Sequence, residues 1–261
     1  MLTYSHSRLA TYKTCPRQYW YAYIGKPEIE GVDTVEAFLG SQVHEALEEL
    51  YRRLMGGQTM SSQELLAWYK GNWDRGWHEG IRIVNETLGA ADYRQVGREA
   101  LATYHKQYRP FDQSRTLRLE EHVLFSLDEA GRYRLQGYID RLAQRGDGVY
   151  EIHDYKTSSH LPTQAQADSD RQLALYQVGV QAMWTDVAQV DLVWHYLRFG
   201  KEIRSRRTPE QLAGIRSECI ALIDVIESRG RDEAGFPTSK SCLCDWCEFR
   251  EICRPTSGGL R

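Results

Sequence analysis

Three stretches decide the fold: Thr116-Leu117-Arg118-Leu119-Glu120-Glu121-His122-Val123-Leu124-Phe125, Tyr133-Arg134-Leu135-Gln136-Gly137-Tyr138-Ile139-Asp140, and Val149-Tyr150-Glu151-Ile152-His153-Asp154-Tyr155-Lys156. In the first, Leu117, Leu119, Glu121, Val123 and Phe125 alternate with polar neighbours, the period-two pattern of a half-buried strand. Tyr133, Leu135, Gly137 and Ile139 continue it in the second. Asp128-Glu129-Ala130-Gly131 and Arg145-Gly146-Asp147-Gly148 supply the turns between. The spacing predicts a three-stranded meander. A helix is expected from about Ser169 to Met183, followed by a fourth, apolar-rich strand at 190–197. The order strand-strand-strand-helix-strand points to a mixed sheet flanked by helices, an α/β (α+β) architecture.

Helical patterns lie outside this block. One begins near Ser5 or Ser7 and is interrupted at Cys15-Pro16, because proline removes a backbone donor and restricts the residue before it. A second runs from about Val35 to Leu54, with Leu39, Val43, Leu47, Leu50 and Leu54 as its apolar stripe, and ends at Gly56-Gly57. Residues 61–109 read as helical and aromatic, opened by Ser61 and Glu64 at capping-box spacing. Trp68, Trp73 and Trp77 lie along it, fit for core packing or for stacking on bases. Thr208-Pro209-Glu210-Gln211 opens a last helix reaching about Glu227. The expected organisation is therefore N-terminal helices over 1–60, a helical insert over 61–115, a core sheet over 116–200, and a C-terminal helix with a cysteine-rich segment over 201–261.

Composition sets the broad class. The 261 residues are 41% hydrophobic and 26% charged, a globular balance. Formal net charge is −3, so any nucleic-acid contact must be local rather than a general basic coat. No apolar run reaches the roughly 20 residues of a membrane helix, and the first residues lack a signal-peptide pattern. The expectation is a cytoplasmic protein without a membrane partner. Lys201, Arg204, Arg206 and Arg207 form a basic run, and Lys13 and Arg17 lie near the first helix end. Either could meet phosphates, and either could be an ordinary solvated charged face.

The chemistry concentrates at the strand ends. Alternation puts Asp154 and Lys156 on one side of their strand, and the hairpin brings Asp140 within reach. Two carboxylates on neighbouring strands can hold a hard divalent cation, and a lysine beside it can steady charge on a phosphate oxygen. An isolated Asp-x-Lys is more simply an edge salt bridge. His44 on the second helix is a potential ligand, although a lone histidine usually serves the surface or core. Gln172 and Tyr176, four apart, share a helix face.

Six cysteines are present, and Cys244, Cys247 and Cys253 form a C-x₂-C-x₅-C pattern. In a reducing compartment such a cluster reads as metal or redox chemistry rather than disulfides. Three thiolates want a fourth. Cys242 is too near Cys244 to reach one tetrahedral site easily, Cys219 reads as a small buried residue, and Cys15 needs a fold that joins the chain ends. Spacing leaves Zn²⁺ and an iron–sulfur cluster open.

Taken together, His44, Gly137-Tyr138-Ile139-Asp140-Arg141, Asp154-Tyr155-Lys156 and Gln172-Leu173-Ala174-Leu175-Tyr176 resemble, in order and spacing, the motif set of the PD-(D/E)XK nucleases, specifically the RecB-like branch. Ser5 to Tyr19 is similar to the opening of that branch. Ile139 stands where the superfamily name has proline. The resemblance implies a restriction-endonuclease-like fold and a Mg²⁺- or Mn²⁺-dependent DNA exonuclease acting on single-stranded ends. It implies His44, Asp140, Asp154 and the Tyr155 carbonyl as metal ligands. Lys156 would orient or activate water, and Gln172 and Tyr176 would position the substrate strand. A further glutamate is expected on the preceding strand, at Glu120 or Glu121. The resemblance also implies a structural [4Fe–4S] cluster on Cys15, Cys244, Cys247 and Cys253, stapling the C-terminal segment to the N-terminus, with Zn²⁺ as the alternative and Cys242 unassigned. DNA repair, recombination or CRISPR adaptation would be its setting, with a helicase or adaptation protein as partner. The rival reading is a non-catalytic DNA-binding or scaffolding subunit of a larger complex.

Overall fold

The computed structural model describes residues 2–29, 33–85 and 87–253. The expected domain boundaries therefore run, at 1 and at 254–261, outside the described residues. Eight helices and six strands follow in chain order: β1 (Thr3–Ser5), α1 (His6–Thr14), α2 (Pro16–Trp20), α3 (Val35–Met55), α4 (Ser62–Gly76), α5 (Ala90–Tyr108), β2 (Arg115–Ser126), β3 (Arg134–Gly146), β4 (Val149–Lys156), α6 (Gln164–Asp168), α7 (Gln172–Met183), β5 (Gln189–Tyr196), β6 (Lys201–Ser205) and α8 (Pro209–Ser228).

Local chemistry sets most of the ends. Ser61 and Glu64 form the expected capping box of α4, and Thr208 and Gln211 do the same for α8, which has Pro209 in its first turn. Thr34 caps α3. The helix expected from Ser169 is instead two. Thr163 and Gln166 box the start of α6, and the Asp170 carboxylate accepts the Gln172 N–H at 2.9 Å, so α7 starts afresh at Gln172.

The strands form one mixed sheet in the order β1-β3-β4-β5-β6, with β2 on the other edge of β3. β2, β3 and β4 are the antiparallel meander read from the alternation. β4 and β5 run parallel through the α6–α7 crossover, and both are buried over nearly their whole length, as parallel strands covered on two faces must be. β1 and β6 escape the periodicity analysis. The first is three residues long, and the second, K-E-I-R-S, reads as a charged loop.

Two hydrophobic clusters cover the two faces. One joins α1, α7 and α8 to the sheet through Leu9, Leu173, Val178 and Ile223 against Val123, Ile139, Ile152 and Trp194. The other joins α3, α4 and α5 through Leu47, Leu65, Trp73 and Leu101, and reaches the sheet at Tyr155. Trp73 is buried, Trp77 stacks on it at 5.7 Å, and Trp68 packs against the same cluster, so these rings serve helix packing. No helix among the described residues is long and apolar enough to cross a membrane.

Candidate active site

The site begins as a gap in a hydrogen-bond ladder. One edge of β3 is paired to β2 from Arg134 to Gln144, with Asp140 skipped in the register. The opposite edge carries β1 at Arg134–Gln136 and β4 from Arg141 onward, which leaves Gly137 to Asp140 without a strand partner. The β3–β4 pairing stops at Arg141↔His153. Where the ladder would continue, the Asp140 carboxylate takes over and accepts the Tyr155 N–H at 2.8 Å. An open notch between the splayed strands results, bounded by α3 on one side and the start of α7 on the other.

α3 delivers His44 into the notch. Its Nε2 donates to the Tyr155 carbonyl at 2.6 Å, because a carbonyl can only accept; its Nδ1 lies 3.6 Å from Asp140 Oδ2. β2 delivers Glu120. One ligand atom each from His44, Glu120 and Asp140 lies within 4.8 Å of the others, the one such group of three among the described residues. Of the two glutamates it is Glu120 that lies beside His44 and Asp140, whereas Glu121 lies 3.9 Å from Arg118. Glu120 adopts φ +46°, left-handed backbone that a residue with a Cβ rarely takes. Strain of this kind costs on the order of 1–3 kcal/mol and gathers at functional sites. Nothing in the alternation of β2 signals it.

From the other side α7 brings Gln172 and Tyr176. The Gln172 amide donates to Asp154 Oδ1 at 3.1 Å and accepts from Lys156 Nζ at 2.9 Å, so it bridges the two residues of the D-x-K pair. Lys156 Nζ also donates to Asp154 Oδ1 at 3.0 Å. Asp154 Oδ2 is buried, lies 2.8 Å from the same nitrogen, and still receives no aligned hydrogen bond. Tyr176 lies over Gly137, where a Cβ would stand 2.3 Å from its ring. Glycine at that position is what lets the ring enter the notch.

The charges answer one another. Burial pushes the Asp140 carboxyl up to about 7; His44 and the Tyr155 N–H pull it down, while Asp154 and Glu120 push it further up. Loss of water also raises Glu120. Burial pulls Lys156 down, but the Asp154 and Asp140 charges outweigh it and hold the amine above its ordinary value, as an ammonium. The carboxylates are therefore crowded and short of positive charge. A nitrogen, the carboxylates of Asp140 and Glu120, a carbonyl and the buried Asp154 Oδ2, which only Lys156 faces, make an oxygen-rich donor set, and it fits a small divalent cation. His6, the first residue of α1, stands among Asp170, Arg171, Lys156 and Asp154, and burial lowers its pKa. The sequence reading did not single it out, because β1 and the parallel pairing that aim it at the notch were not legible.

The cysteines come together elsewhere. Cys15, Cys244, Cys247 and Cys253 line one cavity of about 260 Å³, with Tyr21 and Phe249. Cys242 is exposed and does not line it, and Cys219 is buried in α8. The two chain ends meet through other contacts as well. Arg17 is buried, pairs with Glu233 and donates to the Phe236 carbonyl at 2.8 Å; Trp20 donates to the Arg231 carbonyl at 2.7 Å. Backbone N–H groups already point at sulfur: Ser239 N lies 3.4 Å from Cys15 Sγ, and the Phe249 N–H bonds to Cys247. No three of these sulfurs lie within 4.8 Å of one another.

The basic run is structural. Arg204 binds the buried Glu151 at 2.7 Å, Arg206 binds the buried Asp191 at 2.5 Å, and Arg207 is itself buried, donating to the Ala167 and Asp170 carbonyls. Arg17 is likewise committed to the C-terminal segment. Of the cationic residues considered for phosphate contact, Lys13, Lys201, Arg204 and Arg206 are exposed, and the two arginines are already paired with buried acids.

The family model described as the PD-(D/E)XK nuclease superfamily matches residues 3–254. A protein of Eubacterium rectale provisionally named an exonuclease has a crystal structure similar to this chain at TM-score 0.54 and 16% identity, covering 99% of this chain and 91% of its own, which shows the shared fold. The structure of SSO0001 aligns over 94% of both chains at 13% identity and TM-score 0.34. No curated protein matches the chain.

Proposed function

The chain belongs to the PD-(D/E)XK nuclease superfamily, and on that footing we propose that it is a divalent-metal-dependent deoxyribonuclease of the RecB-like branch, an exonuclease working on single-stranded DNA ends. The observation that carries this reading is the notch itself. His44, Glu120 and Asp140 converge there beside the Asp154–Lys156–Gln172 bridge. Mg²⁺ or Mn²⁺ would be held by Asp140, Glu120, Asp154 and His44, with the Tyr155 carbonyl in reach; when bound it neutralises phosphate charge and acidifies water.

The protein's own groups then have defined work. Lys156, kept as an ammonium, donates hydrogen bonds to a phosphate oxygen as charge develops on it. Gln172 holds the Asp154 and Lys156 side chains at a fixed separation, so neither must reorganise. Tyr176 closes the notch from the α7 side and positions the strand. The Asp140 bond to the Tyr155 N–H keeps the carboxylate oriented when substrate arrives. With Lys156 protonated, its role is orienting water and phosphate, and the removal of a proton from water falls to the carboxylates.

The four cavity cysteines would carry a [4Fe–4S] cluster. The observation behind this is that all four line one cavity where the N-terminal helices meet the C-terminal segment; Zn²⁺ is the alternative occupant. Its place, between α2 and the C-terminal segment, supports a structural role. Repair, recombination or CRISPR adaptation, with a motor protein as partner, would be its setting.

The test is cleavage of linear and circular single-stranded DNA of one sequence with Mg²⁺ or Mn²⁺. Loss of the linear form alone supports the reading. Cutting of both makes the enzyme an endonuclease. With neither cut, the chain is a DNA-binding scaffold.

A further inference from the structure

Strand alternation carries the metal-ligating face of the sheet beyond the notch. Glu120 and His122 are two apart on β2, and Asp140 and Tyr138 are two apart on β3, so each pair shares a face. His122 and Tyr138 are direct partners in the β2–β3 ladder. Their rings lie 4.9 Å apart, tilted by 33°, in contact with each other. The pair sits one alternation step, about 6.8 Å along the strands, from Asp140 and Glu120. That is comparable to the step of one nucleotide in an extended strand.

This pair is open. Tyr138 is 57% exposed, the most exposed of the large hydrophobic side chains described, and Leu124, on the same face of β2, is 41% exposed. The rest of β3 from Leu135 to Ala143 buries its apolar residues, so an uncovered tyrosine here is not a failure of the strand to find a core. Cross-strand aromatic pairs do stabilise hairpins. β2 and β3, however, are already held over ten register positions and a buried face, and they need no exposed pair to fix their alignment. A flat π surface beside a phosphate-processing site is the surface that a nucleobase covers.

We propose that Tyr138, backed by His122, is a base-stacking subsite for the nucleotide next to the scissile phosphate. The inference rests on the nuclease reading above and supplies its preference for unpaired DNA. A base must be out of a duplex stack to lie on the ring, and stacking tolerates any base because each has a π face. The acidic surroundings of the notch, with Glu45, Glu48 and Glu120 on the α3 side, leave little cationic attraction for the backbone. Stacking would offset that.

The experiment measures binding of a short fluorescein-labelled oligothymidylate in EDTA, where metal-dependent cleavage is off. Tyr138→Ala should weaken binding about 5- to 150-fold, the range for loss of one base–aromatic stack. Tyr138→Phe should bind as the parent protein does. Strands with one abasic nucleotide, walked along the sequence, should include a position at which parent and Tyr138→Ala bind alike. Melting temperatures of the variants should match the parent. Equal binding by Tyr138→Ala, equal loss in Tyr138→Phe, a loss that persists on every abasic strand, or failure of the parent to bind single strands would each overturn the subsite. Binding that shows this pattern without cleavage on adding Mn²⁺ would keep the subsite and overturn the nuclease reading.

Discussion

Asp140→Asn should make the metal-free protein more stable at pH 8 while destroying its use for a cation. The Asp140 carboxyl is raised from 3.8 to about 7, first by burial and then by Asp154 and Glu120, against the pull of His44 and the Tyr155 N–H. A carboxyl raised in the folded state contributes stability below its unfolded value and loses it as pH rises through its folded value. Above pH 7 the native protein therefore carries an anion it holds poorly. At ~1.36 kcal/mol per unit, full relief would be worth about 4 kcal/mol. Asparagine gives up the attraction to His44 but keeps an oxygen for the Tyr155 N–H, so about 2–3 kcal/mol is expected, or roughly 4–12 °C in Tm for a chain of this size. At pH 5 the wild-type acid is neutral when folded but still ionised when unfolded, so the advantage of the variant should shrink by about 2–3 kcal/mol relative to pH 8, as the linkage between 3.8 and about 7 requires. Mn²⁺ should raise the wild-type Tm at pH 8 and leave the variant unmoved. The assay is thermal unfolding by circular dichroism at both pH values, with EDTA and with Mn²⁺. An Asn variant no more stable than wild type at pH 8, or one stabilised equally by Mn²⁺, would refute both the electrostatic crowding and the ligand role.

The remaining expectations are as follows. Asp154→Asn should lower cleavage by about 10²-fold or more with far-UV circular dichroism unchanged, since its partners Lys156 and Gln172 can still bond the amide; near-parental turnover would remove Asp154 from the site. Gly137→Ala should cost about 1–3 kcal/mol in urea unfolding, because its Cβ meets the Tyr176 ring at 2.3 Å, and Tyr176→Leu should recover most of that in the double variant. Cys247→Ala should lose bound iron, the broad visible absorption and several degrees of Tm, whereas Cys242→Ala should keep all three; equal behaviour of the two would count against the four-cysteine cavity as a cluster site. His153 is buried, and burial followed by the Arg141 charge lowers it to about 3. It takes up a proton in the unfolded chain below about 6.5 but not in the native one, so its share of stability is present above pH 6.5 and drains as pH falls toward 3. His153→Gln should flatten the loss of Tm between pH 7 and pH 4.5, and an unchanged slope would contradict the buried neutral imidazole.

The sheet meander, the flanking helices and most helix starts were legible in the residues themselves, because alternation, capping boxes and turn glycines are local signals. Thr208-Pro209-Glu210-Gln211 needs no tertiary information to start a helix. The candidate site was legible as a list of motifs for a related reason: D-x-K is a statement about one strand, and Gln172 with Tyr176 about one helix face. What the sequence could not decide is every feature made by two segments meeting. The selection of Glu120 over Glu121 comes from a left-handed residue in β2, which nothing in an E-E pair announces. The basic run at 201–207 looks like a phosphate path until β6 pairs with β5 and brings Glu151 and Asp191 beneath its arginines. Cys15 joins the other cysteines because Arg17, Trp20 and Phe236 clamp the chain ends together. The open edge of β3, which makes the notch, exists only because β1 and β4 pair with the same strand at two places and leave Gly137 to Asp140 between them. Local sequence fixes backbone preference over a few residues. Which surfaces then face one another is set by burial and pairing across the whole chain, and the site lives in that second layer.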